Sequence, residues 1–289
     1  MSRTNSPTRS ASPPQPLADP PAIRLVAIDL DGTLLTDSKQ ISSRTARALC
    51  ALQRRDVKVV IASARPPRSV RPIYRMLGLQ TLQINYNGAL IWDEPKNEVI
   101  FHRPMSPAIV RQIIEVARDM FEETLVTCEI LDRWYTDYHD EHFNTETGKL
   151  FKPDVIAPLE TFCNQPITKL LLLGEPRIMS RLEPLIAESF QGHISLMRTD
   201  DHMLQIMDRR VSKAVALQKV AKIYDIPMSQ VMAIGDAPND VGMLQASGVA
   251  IAMDNAHKVV KRVAHWVAPS NNDHGVYAAL VRYGLCDGE

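Results

Sequence analysis

The stretch IRLVAIDLDGTLLTD, residues 23–37, decides the predicted fold. Its apolar run Leu25–Ile28 predicts a buried strand, which is followed by Asp29 and Asp31 and then by the turn residue Gly32. In open α/β sheets, the loops at the carboxyl ends of parallel strands hold the ligands. The segment therefore predicts two carboxylates at a site of chemistry. The same pattern also fits a turn in which both aspartates only cap backbone N–H groups.

Composition restricts the class of protein. The chain has 289 residues, of which 45% are hydrophobic, and its formal net charge is +0. This length allows one large domain or two modest domains with real cores. Because there is no basic excess, we expect neither nucleic acid nor a membrane as a partner, and no apolar run approaches the ~20 residues that span a bilayer. The four scattered cysteines favour reduced thiols in a cytoplasmic protein.

The first 21 residues differ from the rest of the chain. They are rich in Ser, Pro, Thr and Arg and nearly lack large apolar residues, which predicts a disordered tail at residues 1–21. After the opening strand, strands predicted at 57–62, 82–84, 230–234 and 248–253 alternate with helices predicted at 42–54, 70–77, 212–224 and 241–246. This alternation is typical of parallel βαβ units.

The pattern changes between residues 87 and 207. There the sequence predicts a hairpin at 89–92 and 98–101, helices at 107–121 and 176–190, and strands at 125–131, 134–138, 168–173, 194–197 and 203–207. This is a mixed, largely antiparallel α+β unit. We therefore predict an α/β fold in which a Rossmann-like parallel-sheet core, residues 22–86 and 208–289, carries an inserted α+β domain at residues 87–207.

Polar residues follow four of the predicted strands, and a lysine begins one helix. They are Asp29 and Asp31, Ser63, the turn at 85–88, Asp236, Asn239 and Asp240, and Lys213 at the helix start. Clustered carboxylates repel one another unless a cation is present, and Mg²⁺ binds through one or two carboxylates plus a substrate phosphate. Lys213 and the amides of its helix add positive potential for an anion. The pattern predicts a metal-assisted phosphoryl site.

Four motifs in order carry a family resemblance. They are Asp29-Leu30-Asp31-Gly32-Thr33, Ser63 within IASAR, Lys213, and Gly235-Asp236 with Asn239-Asp240. With them the chain resembles the haloacid dehalogenase superfamily of phosphohydrolases over about residues 23–283. The long insertion between the second and third motifs is placed as a C2 cap domain is. Asn87-Gly88-Ala89 and the segment GVAIAMDNA, residues 248–256, resemble the Cof-type branch, which has a C2B cap.

The resemblance implies a role for each motif residue. Asp29 would attack phosphorus and form an aspartyl-phosphate, and Asp31 would transfer protons to the leaving oxygen and from water. Mg²⁺ would be held by Asp29, the Asp31 backbone carbonyl, Asp236 and Asp240. The predicted phosphate- or substrate-binding residues are Ser63, Ala64, Asn87, Lys213 and Asn239. Ala64 stands where the family usually has a glycine, a departure that removes no reactive group.

Two residues near these motifs have more than one interpretation. Asn87 either stabilises its own turn or faces the site. Arg65 either reaches the substrate or pairs with a nearby carboxylate, and pairing is the favoured interpretation.

Residues and resemblance together predict a Mg²⁺-dependent phosphatase of small phosphorylated metabolites, present in the cytoplasm as a monomer or homodimer. The resemblance favours sugar phosphates as substrates, with flavin or pyridoxal phosphates as alternatives. Two other functions stay open at this point. One is a phosphomutase of the phosphomannomutase type, which returns the phosphoryl group to its substrate. The other is a non-catalytic, ligand-binding regulator.

Overall fold

The structure, a computed structural model, describes residues 22–140, 142–143 and 147–288, so the predicted tail at 1–21 lies outside the described residues. Its strands are β1 (Leu25–Ile28), β2 (Lys58–Ile61), β3 (Leu82–Asn85), β4 (Leu90–Asp93), β5 (Glu98–His102), β6 (Leu125–Ile130), β7 (Arg133–Thr136), β8 (Val155–Ile156), β9 (Lys169–Leu173), β10 (Ile194–Asp200), β11 (Met203–Asp208), β12 (Val231–Gly235), β13 (Val249–Met253) and β14 (Trp266–Ala268). Its helices are α1 (Ser43–Arg54), α2 (Pro67–Leu77), α3 (Pro107–Met120), α4 (Pro176–Ser189), α5 (Lys213–Ile223), α6 (Val241–Ala246), α7 (Lys258–Lys261) and α8 (Gly275–Arg282).

A five-stranded parallel sheet with the order β14-β13-β12-β1-β2 forms the core domain. Ile28 at the end of β1 is in register with Ile234 of β12 and Ile61 of β2, so the three strands end at the same edge. Helices α1, α6 and α8 contact this sheet, and β1 is buried along its whole length, as its continuous apolar run predicts. The predicted Rossmann-like core is confirmed.

Local sequence signals set where the helices near this edge begin and end. Ser42 accepts a hydrogen bond from the backbone N–H of Thr45 at the start of α1, and Ser212 accepts one from Ala214 at the start of α5. Both are capping interactions that satisfy an otherwise unpaired N–H of the first turn. Helix α2 ends at Gly78, whose φ of +61° is the left-handed conformation that glycine adopts without strain.

The inserted domain contains a six-stranded sheet with the order β10-β11-β9-β6-β7-β8. Its strand pairs are antiparallel except for β7 and β8. Helices α3 and α4 share a hydrophobic core with this sheet, which includes Val110, Leu172 and Leu182. The predicted α+β insertion is therefore confirmed as an element of the fold. Within the described residues, no helix is both long enough and apolar enough to cross a membrane.

One expectation about the sheets is wrong. The sequence predicts the strand at 82–84 within the parallel sheet, but β3 joins β2 only through a single parallel bridge between Ala62 and Ile84. The Ser63 N–H donates to the Ile84 carbonyl at 2.8 Å beside this bridge, whereas the other edge of β3 pairs along its length with β4 in the antiparallel sheet β3-β4-β5. Ile91 of β4 packs in the core of the parallel-sheet domain. The domain boundary at residue 87 stays a prediction.

A buried ion pair joins the core domain to the inserted domain. Arg68 of α2 donates from Nη2 to both carboxylate oxygens of Glu129 on β6, at 2.7 and 2.8 Å. Both side chains are at most 8% exposed. The Tyr86 hydroxyl adds a third hydrogen bond to Glu129, at 3.1 Å. Two charges held in a desolvated contact depend on each other, because removal of either leaves the other uncompensated.

We expect Glu129→Ala to destabilise the folded protein by about 3 kcal/mol, since it leaves the buried Arg68 guanidinium without its main partner. Thermal or guanidinium unfolding would measure the loss. The matched control is Asp254→Ala, which removes the partner of Lys261 from a solvent-exposed ion pair and should have a much smaller effect. Equal effects of the two substitutions would contradict the assigned role of the buried pair.

Candidate active site

The site lies at the carboxyl edge of the parallel sheet, where the chain after β1 passes close to the loop after β12. Gly32 makes this approach possible. Its φ is +78°, and a Cβ at this position would lie 2.4 Å from an Asp236 carboxylate oxygen. A side chain at residue 32 would therefore be both strained and obstructed. The turn residues Asp29 and Asp31 are brought in this way to the same edge as Asp236.

Lys213 is the cation at the centre of the site. It is the first residue of α5, it is 1% exposed, and its Nζ donates to Asp29 Oδ1 at 2.5 Å and to Asp240 Oδ1 at 2.7 Å. Burial lowers the pKa of Lys213, but the carboxylates of Asp240 and Asp29 outweigh this and raise it. The ammonium group is therefore charged and positioned beside Asp29.

Asp240 organises the loop after β12. Its Oδ2 accepts the backbone N–H groups of Asp236 and Ala237, both at 3.0 Å, and the side chain is fully buried. Thr33 donates from its hydroxyl to Asp236 Oδ1 at 2.7 Å, which fixes the second carboxylate of this loop. Both oxygens of Asp240 are thus engaged, one with Lys213 and one with the backbone.

Asp29, Asp236 and Asp240 form an acidic cluster in which each offers one oxygen within 4.8 Å of the others. Burial raises the pKa of Asp29 to about 8, Lys213 opposes this, and Asp240 and Asp236 add to it. Burial likewise raises the pKa of Asp236 to about 6, against the Thr33 hydrogen bond and together with the charge of Asp240. The cluster carries more negative charge than Lys213 balances, and its donors are hard oxygens. These residues fit a divalent cation such as Mg²⁺.

Asp31 has different partners, although it is only two residues from Asp29. Arg65 donates from Nε to Oδ2 at 2.7 Å and from Nη2 to Oδ1 at 2.6 Å, and Lys39 donates to Oδ1 at 2.7 Å. Burial raises the pKa of Asp31, but the hydrogen bonds and charges of Arg65 and Lys39 outweigh it and hold the pKa below its usual range. The side chain is 40% exposed. Asp31 is therefore an accessible, ionised carboxylate outside the acidic cluster, and its predicted metal contact through the backbone carbonyl stays a prediction.

Three of the predicted phosphate- and substrate-binding residues, Ser63, Asn87 and Asn239, lie in one hydrogen-bonded group. Ser63 is buried, its Oγ accepts the Arg65 N–H at 3.1 Å, and its carbonyl accepts the Asn87 N–H at 3.0 Å. Asn239 donates from Nδ2 to Asn87 Oδ1 at 2.8 Å. Ala64 is half-buried between Ser63 and Arg65. The structure brings these residues together, while their roles in binding stay predictions.

Asn87 lies in a turn and also contacts Asn239 of the loop after β12. Its φ of +55° is the left-handed turn conformation, and its side chain is 5% exposed and bonded to Asn239. The next residue, Gly88, lies so close to α5 that a Cβ would be 2.4 Å from the Ser212 carbonyl oxygen. The turn after β3 is therefore fixed against the helix that carries Lys213.

The sequence interpretation missed Thr33 and Lys39. Thr33 lies within the first motif, where only the aspartates were given roles. Lys39 follows Asp31 by eight residues in a polar turn with φ of +59°, and no periodic pattern marks it. For Arg65, the favoured prediction of pairing with a carboxylate is confirmed, and the partner is Asp31.

Known proteins resemble this chain over most of its length. The family model for haloacid dehalogenase-like hydrolases matches residues 26–280. The 5-amino-6-(5-phospho-D-ribitylamino)uracil phosphatase YitU of Bacillus subtilis is 30% identical over 269 residues, or 90% of this chain and 97% of the relative.

Solved structures also resemble this chain over most of its length. A haloacid dehalogenase-like hydrolase from Bacteroides thetaiotaomicron has a TM-score of 0.82 at 26% identity, over 90% of this chain and 99% of that one. A subclass IIB sugar phosphatase of the superfamily, 18% identical, shares the fold with a TM-score of 0.75 over 91% of this chain and 100% of its own. By family, fold and relatives, the chain belongs to the haloacid dehalogenase-like hydrolases and is a phosphatase-type enzyme.

Proposed function

We propose that the protein is a Mg²⁺-dependent phosphatase that hydrolyses phosphate monoesters of small metabolites. The observation that carries the proposal is the pair of environments at the end of β1. Asp29 is buried beside Lys213 in the acidic cluster, and Asp31 is half-exposed between Arg65 and Lys39. One carboxylate is thus placed to receive the phosphoryl group, and the other to exchange protons with solvent and substrate.

In the first step, a carboxylate oxygen of Asp29 forms a bond to phosphorus while the bond from phosphorus to the ester oxygen breaks. The departing alkoxide takes a proton from the protonated form of Asp31, which is the minor form because Arg65 and Lys39 lower the pKa of this carboxyl group. In the second step, Asp31 takes a proton from water, whose oxygen attacks the aspartyl-phosphate and releases inorganic phosphate with Asp29 regenerated. The contacts of Asp31 with Arg65 and Lys39 favour its ionised form, which is the form that accepts this proton.

The remaining residues bind rather than react. Lys213, Ser63 and Asn239 would hold the oxygens of the transferring group, and Ala64 and Asn87 would contribute to the same binding site. Asp29, the Asp31 carbonyl, Asp236 and Asp240 would hold Mg²⁺. The ion would neutralise negative charge that accumulates between the substrate phosphate and the acidic cluster.

Sugar phosphates and flavin-related phosphates are both reasonable substrates for such a site. The family resemblance favours the former, and the name of YitU, a phosphatase of a phosphoribitylamino-uracil, favours the latter. We also propose that the enzyme acts in the cytoplasm, as a monomer or homodimer, without nucleic acid or membrane as a partner. The zero net charge and the scattered cysteines support this.

The central experiment removes the two aspartates one at a time. We expect Asp29→Asn to abolish Mg²⁺-dependent phosphate release, since an amide cannot accept the phosphoryl group. Asp31→Asn should lower kcat by about 10²–10⁴-fold, because it removes the proton-transfer group. With p-nitrophenyl phosphate, whose leaving group needs no proton, Asp31→Asn should release a burst of one equivalent of p-nitrophenol and then slow down. Stopped-flow absorbance would record the burst.

The matched control is Asp119→Asn on the exposed face of α3, which should behave as the unaltered enzyme. Undiminished turnover by Asp29→Asn would overturn the mechanism. A phosphomutase would instead return the phosphoryl group to the sugar, with isomerisation and without net release of phosphate.

A second prediction concerns pH and metal binding. Since the pKa of Asp29 is raised to about 8 and that of Asp236 to about 6, these two carboxyl groups bind more protons in the folded metal-free protein than in the unfolded chain between about pH 4 and these values. Their contribution to stability therefore falls as the pH rises through this interval. Mg²⁺ binds the ionised carboxylates, so the stabilisation it provides should be larger at about pH 8 than at about pH 5.5.

Thermal unfolding with excess Mg²⁺ and with EDTA, at both pH values, would measure this difference. Asp236→Asn should lose most of the stabilisation by Mg²⁺, whereas Asp119→Asn should retain it. A gain in melting temperature that is independent of pH, or one that survives in Asp236→Asn, would contradict the assignment of the acidic cluster as the metal site.

A further inference from the structure

A cavity of about 650 Å³ opens beside Asp31, and the proposed mechanism gives it no role. Its cationic lining consists of Lys39, Arg65 and Lys149, of which Lys39 and Arg65 hold the Asp31 carboxylate at 2.6–2.7 Å. We call the turn at residues 35–41 the flap, and the cavity the flap cavity, because this turn forms one side of it. Its volume lies within the range of small-molecule sites in proteins.

The position of the cavity determines which part of a substrate can enter it. A general acid has to be within hydrogen-bonding distance of the oxygen that it protonates. The ester oxygen of the substrate therefore lies next to Asp31, with the phosphoryl group on the side of Asp29 and Lys213. The leaving group extends in the other direction. The flap cavity is lined by Lys39 and Arg65, the two residues that bind Asp31, and so offers space on this side.

The walls of the cavity are mostly apolar. They are formed by Leu35, Ile41, Pro72, Ile73, Met76 and Leu150. A free sugar carries a hydroxyl on nearly every carbon, and each one that is buried without a partner costs free energy. A heteroaromatic ring instead has two apolar faces and a few polar atoms at its edge, which suits mostly apolar walls that also include Lys39 and Gln40.

Two of these side chains are exposed to a degree that is unusual for large apolar residues. Met76 on α2 is 58% exposed, and Leu150, in the segment between β7 and β8, is 65% exposed. They belong to the core domain and the inserted domain, respectively, and both line the flap cavity. A ring held between them would remove apolar surface of both from water, which is a favourable change.

We propose that the flap cavity is the leaving-group subsite and that the enzyme prefers phosphate esters whose alcohol carries an aromatic or heteroaromatic ring over free sugar phosphates. The inference rests on the proposed phosphatase function and specifies its substrate class. Met76 and Leu150 are then residues that determine specificity, and they bind the ring without taking part in the chemical steps.

The first test compares two matched pairs of esters. Each pair has the same reacting ester and differs only in the ring: 2-phenylethyl phosphate with ethyl phosphate, and riboflavin 5′-phosphate with ribitol 5-phosphate. We expect kcat/KM to be about tenfold or more higher for the ring-bearing member of at least one pair. Absence of a preference in both pairs would overturn the inference, as would a higher kcat/KM for glucose 6-phosphate than for either ring ester.

The second test uses the double variant Met76→Ser/Leu150→Ser, whose sites are exposed enough for folding to be retained. For the preferred ring ester, KM should rise about tenfold with kcat nearly unchanged, as for the loss of a contact present equally in ground and transition states. The ringless partner should be unaffected. Met120→Ser, an exposed methionine on α3 away from the cavity, is the control and should match the unaltered enzyme.

Turnover of acetyl phosphate separates failure of the inference from failure of the proposed function, because this small donor needs no leaving-group subsite. If acetyl phosphate is hydrolysed and no ring preference exists, only the inference fails. If acetyl phosphate and all four esters are inert in the presence of Mg²⁺, the phosphatase proposal fails together with it.

Discussion

The site depends on one buried interaction, the contact of the Lys213 ammonium with the carboxylates of Asp29 and Asp240. It joins the end of β1, the start of α5 and the loop after β12, although Lys213 is 184 residues from Asp29 in sequence. A buried charge that loses its partner costs about 3–5 kcal/mol. The three segments therefore reach a low free energy only when they meet. Since Asp240 also binds the backbone N–H groups of Asp236 and Ala237, the same contact shapes the loop that presents Asp236.

This arrangement explains how two aspartates that are nearly adjacent in sequence acquire different chemistry. Asp29 faces inward, where burial and neighbouring carboxylates raise its pKa and create the need for a cation. Asp31 faces the flap, where the charges of Arg65 and Lys39 keep it ionised. Both aspartates follow the end of β1, and the left-handed φ of Gly32 turns the chain directly after Asp31. Environment, and not residue type, distinguishes the proposed phosphoryl acceptor from the proposed proton-transfer group.

The sequence could predict those parts of the molecule that depend on local pattern. Apolar runs that end in polar turns located β1, β2 and β12, and the order of the motifs located Asp29, Ser63, Lys213 and Asp236 at one edge. Contacts that depend on tertiary approach left no local signal. Lys39 is an ordinary cation in a polar turn until the fold places it on Asp31. The sheet that β3 joins was likewise not encoded in β3 itself, because pairing depends on the neighbouring strands.

The sequence predicts α2 as a short helix but gives no local signal that its two faces make different tertiary contacts. Arg68 and Arg71, three residues apart, bind Glu129 and Asp132 of the inserted domain. Pro72, Ile73 and Met76 lie on the face that lines the flap cavity, opposite Leu150 of that domain. Because one rigid helix carries both sets, docking of the inserted domain on α2 also sets the distance between the walls of the cavity. With the proposed role of the flap cavity, substrate selection and domain docking would be coupled through α2. A substitution at the buried Arg68–Glu129 contact should change affinity for the leaving group without any contact to it.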